Sequence, residues 1–284
     1  MMTQTRTHGV NTRRPRWHTW GGLALATLLL VSAAGCGKGS AATQGPTEAS
    51  RAASPKGPVT LTEKAIAQAS REGKYSFVLF YRPGEQASEA MRTTFARAKG
   101  KLESKAVLLP VDASTQAEAG LVEKYGAEQA PLPLTLVIAP NGAIIRAFTK
   151  PVDEQALAGA FVSPKIAEVT KALQDKKVVA LCLQGASTKH NRESASAAVE
   201  FAADPKLAGQ GVVIVADPSR EADLLKRCGL TAPPTEATIV LLAPPGSMVA
   251  TVAGATTKEA LLQKLQSASS SCSSGSSCGP SGCK

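Results

Sequence analysis

The chain has 284 residues, of which 43% are hydrophobic, 19% charged and 4% aromatic, and its formal net charge is +10. This length and apolar content predict one or two folded domains and exclude wholesale disorder, a collagen and a polytopic membrane protein. Four arginines before residue 36 carry part of the charge, and without them the net charge is +6. Because this excess is small, forms no dense basic run and comes with few aromatic residues, we expect no nucleic-acid partner.

Residues 1–35 are typical of a secretory signal peptide. A basic stretch that ends at Trp20 is followed by the apolar run 21–34 and then by Gly35-Cys36. A membrane-spanning helix needs about 20 apolar residues. The run is shorter than that, so we expect it to be cleaved rather than retained as an anchor.

The segment Ala33-Ala34-Gly35-Cys36 resembles the lipobox of bacterial lipoproteins, although Ala33 stands where that family prefers leucine. The resemblance implies that Cys36 becomes the mature N-terminus and that acyl chains, palmitate among them, hold an exported protein on a membrane of the cell envelope. An ordinary signal peptide with an incidental cysteine is the alternative. Residues 36–58 are rich in Gly, Ala, Ser and Pro and predict a flexible tether.

From Thr60 onward, hydrophobic periodicity predicts a regular series of helices and strands. Thr60 and Glu63 have the spacing of a capping box, which indicates where the first helix begins. The predicted elements are a helix at 60–73, a strand at 76–81, a helix at 85–98, a strand at 106–111, a helix at 116–125, strands at 134–139 and 143–148, and a helix at 152–161.

The same order of elements then repeats. The predicted elements are helices at 164–174, 191–203, 219–228 and 256–266 and strands at 177–183, 211–216, 238–243 and 247–252. Tyr125-Gly126 matches Cys228-Gly229, and the turn 139–142 matches 243–246 at nearly the same offset. We therefore expect tandem copies of one fold, the alternative being two α/β domains that look alike by chance.

The first copy resembles the thioredoxin superfamily from about residue 60 to residue 161. Residues 77–81 resemble the central strand that leads to that family's redox site, and residues 125–142 resemble the segment that holds its cis-proline. The resemblance implies an α/β fold of two tandem thioredoxin-like domains, each a mixed central sheet flanked by helices. The expected boundaries are 59–162 for the first domain, 163–267 for the second and 268–284 for a disordered Ser/Cys-rich tail.

Three prolines are candidates for the cis-proline that the resemblance implies. Counting from Gly126 favours Pro131, whereas counting back from Gly142 favours Pro133. We prefer Pro133, because strand length varies less than loop length. In the second copy the corresponding residue is Pro234.

Neither copy has the family's redox pair. In redox-active members a Cys-x-x-Cys follows the central strand, where the start of a helix stabilises a thiolate. Glu85 and Ser88 occupy these two places, and residues 184–190 of the second copy contain no cysteine. Dithiol exchange is therefore excluded at these positions, and we expect Glu85 to stabilise the helix dipole rather than act as a general base.

The other cysteines and the mature part's single histidine are weaker candidates. Cys182 in a strand and Cys228 at the end of a helix are expected to be buried, inert thiols rather than a disulfide or a reactive site. His190 is expected at the surface. The tail holds Cys272, Cys278 and Cys283, which could form adventitious disulfides, bind a soft metal such as Cu(I) or Zn, or exchange thiols.

The sequence thus favours a non-enzymatic, redox-inactive thioredoxin-like protein, tethered to a membrane and binding an extended peptide or another envelope protein. The expected binding site is the proline loop of the first copy, with Leu132, Tyr81, Arg82 and Met91 close to it, unless the proline only shapes the turn and the groove is empty. The alternative is a thiol–disulfide oxidoreductase or soft-metal protein that acts through the tail cysteines.

Overall fold

The structure is a computed structural model that describes residues 59–273, which belong to one compact unit. The predicted signal peptide, Cys36 and the tether up to residue 58 lie outside the described residues, as do Cys278 and Cys283. Among the described residues, no helix is both long and apolar enough to cross a membrane.

The first half contains one four-stranded mixed sheet with helices on both faces. Its elements are α1 (Leu61–Arg71), β1 (Tyr75–Tyr81), α2 (Gln86–Leu102), β2 (Ala106–Asp112), a 3-10 turn (Gln116–Glu118), α3 (Ala119–Lys124), β3 (Leu134–Ile138), β4 (Ile144–Phe148) and α4 (Glu154–Ala158). The strand order is β2-β1-β3-β4. Strand β1 runs parallel to β2 and antiparallel to β3, and β3 pairs with β4 in antiparallel fashion.

The second half repeats this arrangement. Its elements are α5 (Pro164–Gln174), β5 (Val178–Leu183), α6 (Asn191–Ala202), a 3-10 turn (Pro205–Leu207), β6 (Gly211–Ala216), α7 (Ala222–Arg227), β7 (Thr238–Ala243), β8 (Ser247–Ala253) and α8 (Lys258–Ser273). The strand order β6-β5-β7-β8 has the same directions as in the first sheet. The predicted fold class, an α/β chain with a mixed central sheet in each half, is confirmed.

The central strands carry the two cores, because both faces of each are covered. Phe77 and Leu79 of β1 pack on one face with Met91 and Phe95 of α2. Their neighbours in the strand face the opposite side, where α3 supplies apolar side chains. Strand β5 divides its side chains in the same way between α5 and α7 on one face and α6 and α8 on the other. This explains the unbroken apolar runs in the sequence, since a strand covered on both faces does not alternate.

Caps fix where several helices begin. The Glu63 N–H donates to Thr60 Oγ1 over 3.1 Å, and the Thr60 N–H donates to the Glu63 carboxylate over 3.1 Å, which is the expected capping box. Ser163 caps α5 by accepting from the Ile166 N–H over 3.2 Å.

The last helix, α8, continues past its predicted end at residue 266 to Ser273. Residues 268–273, predicted as the start of the disordered tail, are therefore helical, and the prediction is wrong over these six residues.

The two halves meet where α5 crosses the β4 edge of the first sheet. The Gln174 side chain donates to the Ile144 carbonyl over 2.8 Å and accepts from the Ile144 N–H over 3.0 Å. The Tyr75 hydroxyl donates to the Val162 carbonyl over 2.8 Å, and Ala167 of α5 packs in a small apolar cluster with Ala139 and Ala143. Side chains of both halves therefore hold the short connection between them.

Replacing Gln174 with Ala removes both hydrogen bonds to Ile144. We expect the free energy of unfolding to fall by about 1–2 kcal/mol, because each bond contributes roughly 0.5–1.5 kcal/mol and the strand's polar groups lose their partner. Urea denaturation followed by circular dichroism measures this loss. Gln263→Ala, at an exposed position of α8, is the matched control and should change stability by less than about 0.5 kcal/mol. Equal effects of the two substitutions would contradict the bracing role of Gln174.

Candidate functional site

The loop between β1 and α2 holds the positions of the missing redox pair. Ser88 is completely buried in the first turn of α2, where its hydroxyl accepts from the Arg82 N–H and donates to the Glu85 carboxylate, both over 3.3 Å. The Arg82 guanidinium lies 3.7 Å from the same carboxylate. Glu85 occupies the N-cap position, but its side chain accepts from Ser88 rather than from a backbone N–H of the helix. The polar groups of Arg82, Glu85 and Ser88 therefore interact with one another within this loop.

Residues 130–132, which we call the edge segment, lie directly before β3. The Leu132–Pro133 peptide bond is cis, whereas the bond before Pro131 is not. Pro133 is buried, Leu132 half-buried and Pro131 exposed. Within residues 59–273, no backbone hydrogen bond reaches the N–H or C=O of Leu132. The edge segment thus presents backbone groups without a partner in the described chain.

The corresponding segment of the second half is occupied by the chain itself. The Lys189 N–H donates to the Thr235 carbonyl over 3.1 Å, and the Ala237 N–H donates to the Lys189 carbonyl over 2.8 Å. These bonds form an isolated parallel bridge between Lys189 and Glu236. The loop between β5 and α6, residues 184–190, is longer than residues 82–85 of the first half and folds back onto the segment before β7.

Polar side chains fix the fold of this longer loop. The Thr188 hydroxyl accepts from the Gly185 N–H over 2.8 Å and lies 2.6 Å from the Asn191 amide oxygen. The Asn191 amide also donates to the Gly185 carbonyl over 2.8 Å. The loop that covers the second edge is therefore internally bonded.

The expectation of a cis-proline at Pro234 is wrong. Within the described range, the second cis bond is Pro244–Pro245, in the turn between β7 and β8. The segment after Pro234 is instead held by the Lys189 backbone, so its path is determined by strand pairing.

The expectation that Met91 contributes to the binding site at the proline loop is also wrong. Its side chain is 0% exposed and packs in the core with Phe95, so it cannot contribute to a surface groove. Met91, Phe95, Ala98 and Leu102 share the buried face of α2, a helical spacing that was available in the sequence.

Tyr81 is half-buried, and the Arg92 guanidinium lies 4.8 Å from the centre of its ring. Arg92 thus lies beside the site, a position that was not predicted from the sequence.

Cys182 and Cys228 are free, buried thiols, as expected. Burial raises the pKa of Cys182 to about 11 and also raises the pKa of Cys228, so both remain protonated near neutral pH.

His190 is exposed at the N-cap of α6, as expected for a surface histidine. Among the described residues, no group of three or more His, Cys, Asp or Glu side chains is placed to hold a metal ion.

The sequence matches none of the protein-family models and none of the curated proteins with which it was compared. Among solved structures it is similar to the germline-specific thioredoxin protein Deadhead from Drosophila melanogaster, with 22% identity and a TM-score of 0.29 over 36% of this chain and 90% of that chain. A disulphide isomerase from Xylella fastidiosa Temecula1 has 17% identity and a TM-score of 0.28, over 35% of this chain and 76% of that chain. An oxidised thioredoxin from Plasmodium falciparum has 15% identity and a TM-score of 0.28, over 37% and 89%.

These similarities carry no information about activity. Within the described residues, the two sheets share the same strand order and the same strand directions.

The raised pKa of Cys182 predicts a dependence of stability on pH. An unfolded thiol ionises near its ordinary value of 9.0, whereas the folded thiol stays protonated up to about pH 11. The contribution of Cys182 to stability is therefore complete below pH 9 and is lost as the pH rises through 11, by about 3 kcal/mol in total. Denaturation at pH 8–11 should show a shallower decline for Cys182→Ala than for the unchanged chain.

Val179→Ala, at a buried and non-ionising position of the same strand, is the control. It should lower stability by the same amount at every pH. Parallel curves for Cys182→Ala and the unchanged chain would show that the buried thiol does not resist ionisation.

Proposed function

We propose that this protein is a redox-inactive, thioredoxin-like binding module of the bacterial cell envelope, tethered to a membrane through Cys36. It holds an extended peptide segment of a partner protein at the edge segment of its first half. The observation that carries the proposal is the difference between the halves: Leu132 leaves its backbone groups open, whereas the Lys189 backbone fills the equivalent edge in the second half.

An open backbone edge favours binding by strand addition. Backbone N–H and C=O groups need partners, and an added strand supplies them along with pockets for alternate side chains. In the second half the protein's own loop makes this kind of pairing, which demonstrates that the segment before the third strand of the sheet can accept a neighbour. The first half lacks such a loop, so an outside peptide can take that place.

The side chains around the edge segment indicate what the peptide should carry. Phe80 pairs with Leu134 in antiparallel register. Strand β1 ends at Tyr81 and β3 begins at Leu134, so Arg82 and Leu132 both lie just beyond the same end of this strand pair. Arg82 is exposed and Leu132 half-buried, so the surface combines a cationic with an apolar group. A partner segment with an apolar residue and a nearby carboxylate fits this combination.

The absence of redox chemistry at this site follows from its side chains. Glu85 and Ser88 offer no sulfur, and the two cysteines with described side chains, Cys182 and Cys228, are buried and protonated. Thiol exchange by the tail cysteines is the competing outcome that insulin reduction tests. Binding of Cu(I) or Zn by them would appear in a metal titration of the full chain and be lost with serine at positions 272, 278 and 283.

The full chain with serine at positions 272, 278 and 283 should not reduce insulin with dithiothreitol as the electron donor. Adding Glu85→Cys and Ser88→Cys to this variant should create activity, because it places two thiols at the start of α2. The turbidity of reduced insulin measures both. Activity of the triple-serine chain comparable to that of an active thioredoxin would refute the redox-inactive assignment. Activity lost only on removing the tail cysteines would favour the oxidoreductase alternative.

Replacing Arg82 and Leu132 together with Ala should weaken binding of the partner at least about tenfold, because both side-chain contacts are lost beside the paired backbone. The partner is first isolated from membranes with the full chain and identified by mass spectrometry. Binding of its synthetic extended segment is then measured by isothermal titration calorimetry, and the melting temperature of the double variant should change little.

The control is Lys189→Ala with Thr235→Ala, two exposed positions at the closed edge of the second half. This variant should bind the segment like the unchanged chain. If the control loses binding and the Arg82/Leu132 variant keeps it, the site lies in the second half.

A further inference from the structure

Two adjacent cavities lie beside α5, the first within the second half and the second between the halves. The first, which we call the apolar cavity, has a volume of about 270 Å³ and lies between α5, α7 and β7. Its walls are mainly aliphatic and include Ile166, Val169, Leu173, Leu224 and Leu242. Such walls favour an apolar group of a ligand.

The second cavity, which we call the junction cleft, has a volume of about 370 Å³ and is cationic. Arg146 of β4 reaches it from the first half, and Lys226 and Arg227 of α7 reach it from the second. The one acidic side chain in its wall is Asp223, which lies 3.6 Å from Lys226. Neither Arg146 nor Arg227 has a carboxylate within 4 Å among residues 59–273. The cleft therefore carries two cationic groups without an anionic partner there.

The two cavities are neighbours, because Ile166 and Arg227 line both. Arg227 thus stands at the boundary between an aliphatic wall and a cationic one. A ligand that fills both must have an apolar chain and an anionic head. Their combined size falls within the range of about 300–1,000 Å³ that is usual for small-molecule sites, and such sites often form at domain interfaces.

We propose that the junction of the two halves binds a small anionic amphiphile with a single acyl chain. Its carboxylate or phosphate head lies in the junction cleft against Arg227 and Arg146, and its chain lies in the apolar cavity. A planar guanidinium offers paired N–H donors that match either kind of head. This site shares no lining residue with the edge segment, so the proposal stands independently of peptide binding.

The experiment is calorimetric titration of the full chain with decanoate below its micelle concentration, decanol below its solubility limit, and acetate. Cys36→Ser is included to prevent acylation of the chain itself. Decanoate should bind at least tenfold more tightly than either decanol or acetate, because only decanoate occupies both cavities. Decyl phosphate, tested in parallel, distinguishes a phosphate head from a free carboxylate, and tighter binding of either head supports the site.

Variants locate the two parts of the ligand. Arg227→Gln should weaken decanoate at least about fivefold while leaving decanol unchanged, and Arg146→Gln should act in the same direction. Thr170→Trp, which adds bulk at the wall of the apolar cavity, should weaken decanoate and decanol alike. Arg97→Gln is the matched control, since Arg97 is an exposed arginine of α2 that lines neither cavity.

Several results would overturn the proposal. Equal affinities for decanoate and acetate would indicate a simple anion site, and equal affinities for decanoate and decanol an apolar cavity alone. Equal losses from Arg227→Gln and Arg97→Gln would indicate non-specific charge attraction. If Thr170→Trp fails to fold, a series from hexanoate to dodecanoate replaces it, and an affinity that does not rise with chain length contradicts the role of the apolar cavity.

Discussion

The antiparallel pairing of β1 with β3 is the constraint on which the rest of the first half depends. Five consecutive residues of β1 are buried, so both faces of the sheet must be covered, and α2 and α3 supply the cover. The same pairing, ending at Phe80 and Leu134, brings the end of β1 beside the segment before β3. A requirement of the core therefore also positions Arg82 and the edge segment, which come from distant parts of the sequence.

The second half has the same strand pairing as the first but a different surface at the edge before its third strand. Strands β5 and β7 pair as β1 and β3 do, but residues 184–190 form a longer loop that folds back onto Thr235 and Ala237. The result is one edge closed by the chain and one edge left open. A longer loop on the same strand arrangement is thus enough to close, in one half, an edge that has no backbone partner within the described chain in the other.

Much of the fold could be predicted from the sequence, because long apolar runs and caps are local signals. The bounds of α5, β6 and β7 match the prediction, and the count back from Gly142 correctly singled out Pro133. Features that depend on tertiary pairing could not be predicted from the sequence. They are the cis bond at Pro245, the Lys189 bridge and the cleft lined by Arg146 and Arg227. The burial of Met91 is different, since its helical spacing with Phe95 is a local signal in the sequence.

The bracing of Ile144 by Gln174 has a consequence for encounters between copies of the protein. The outer edge of a sheet is a template for pairing with another chain, which leads to aggregation. At the β4 edge, Gln174 already occupies both backbone groups of Ile144, and α5 crosses that strand. At the opposite edge, Pro110 in β2 has no N–H to offer. Each outer strand of the first sheet is thus interrupted at one position as a template for pairing, while the backbone of Leu132 remains open.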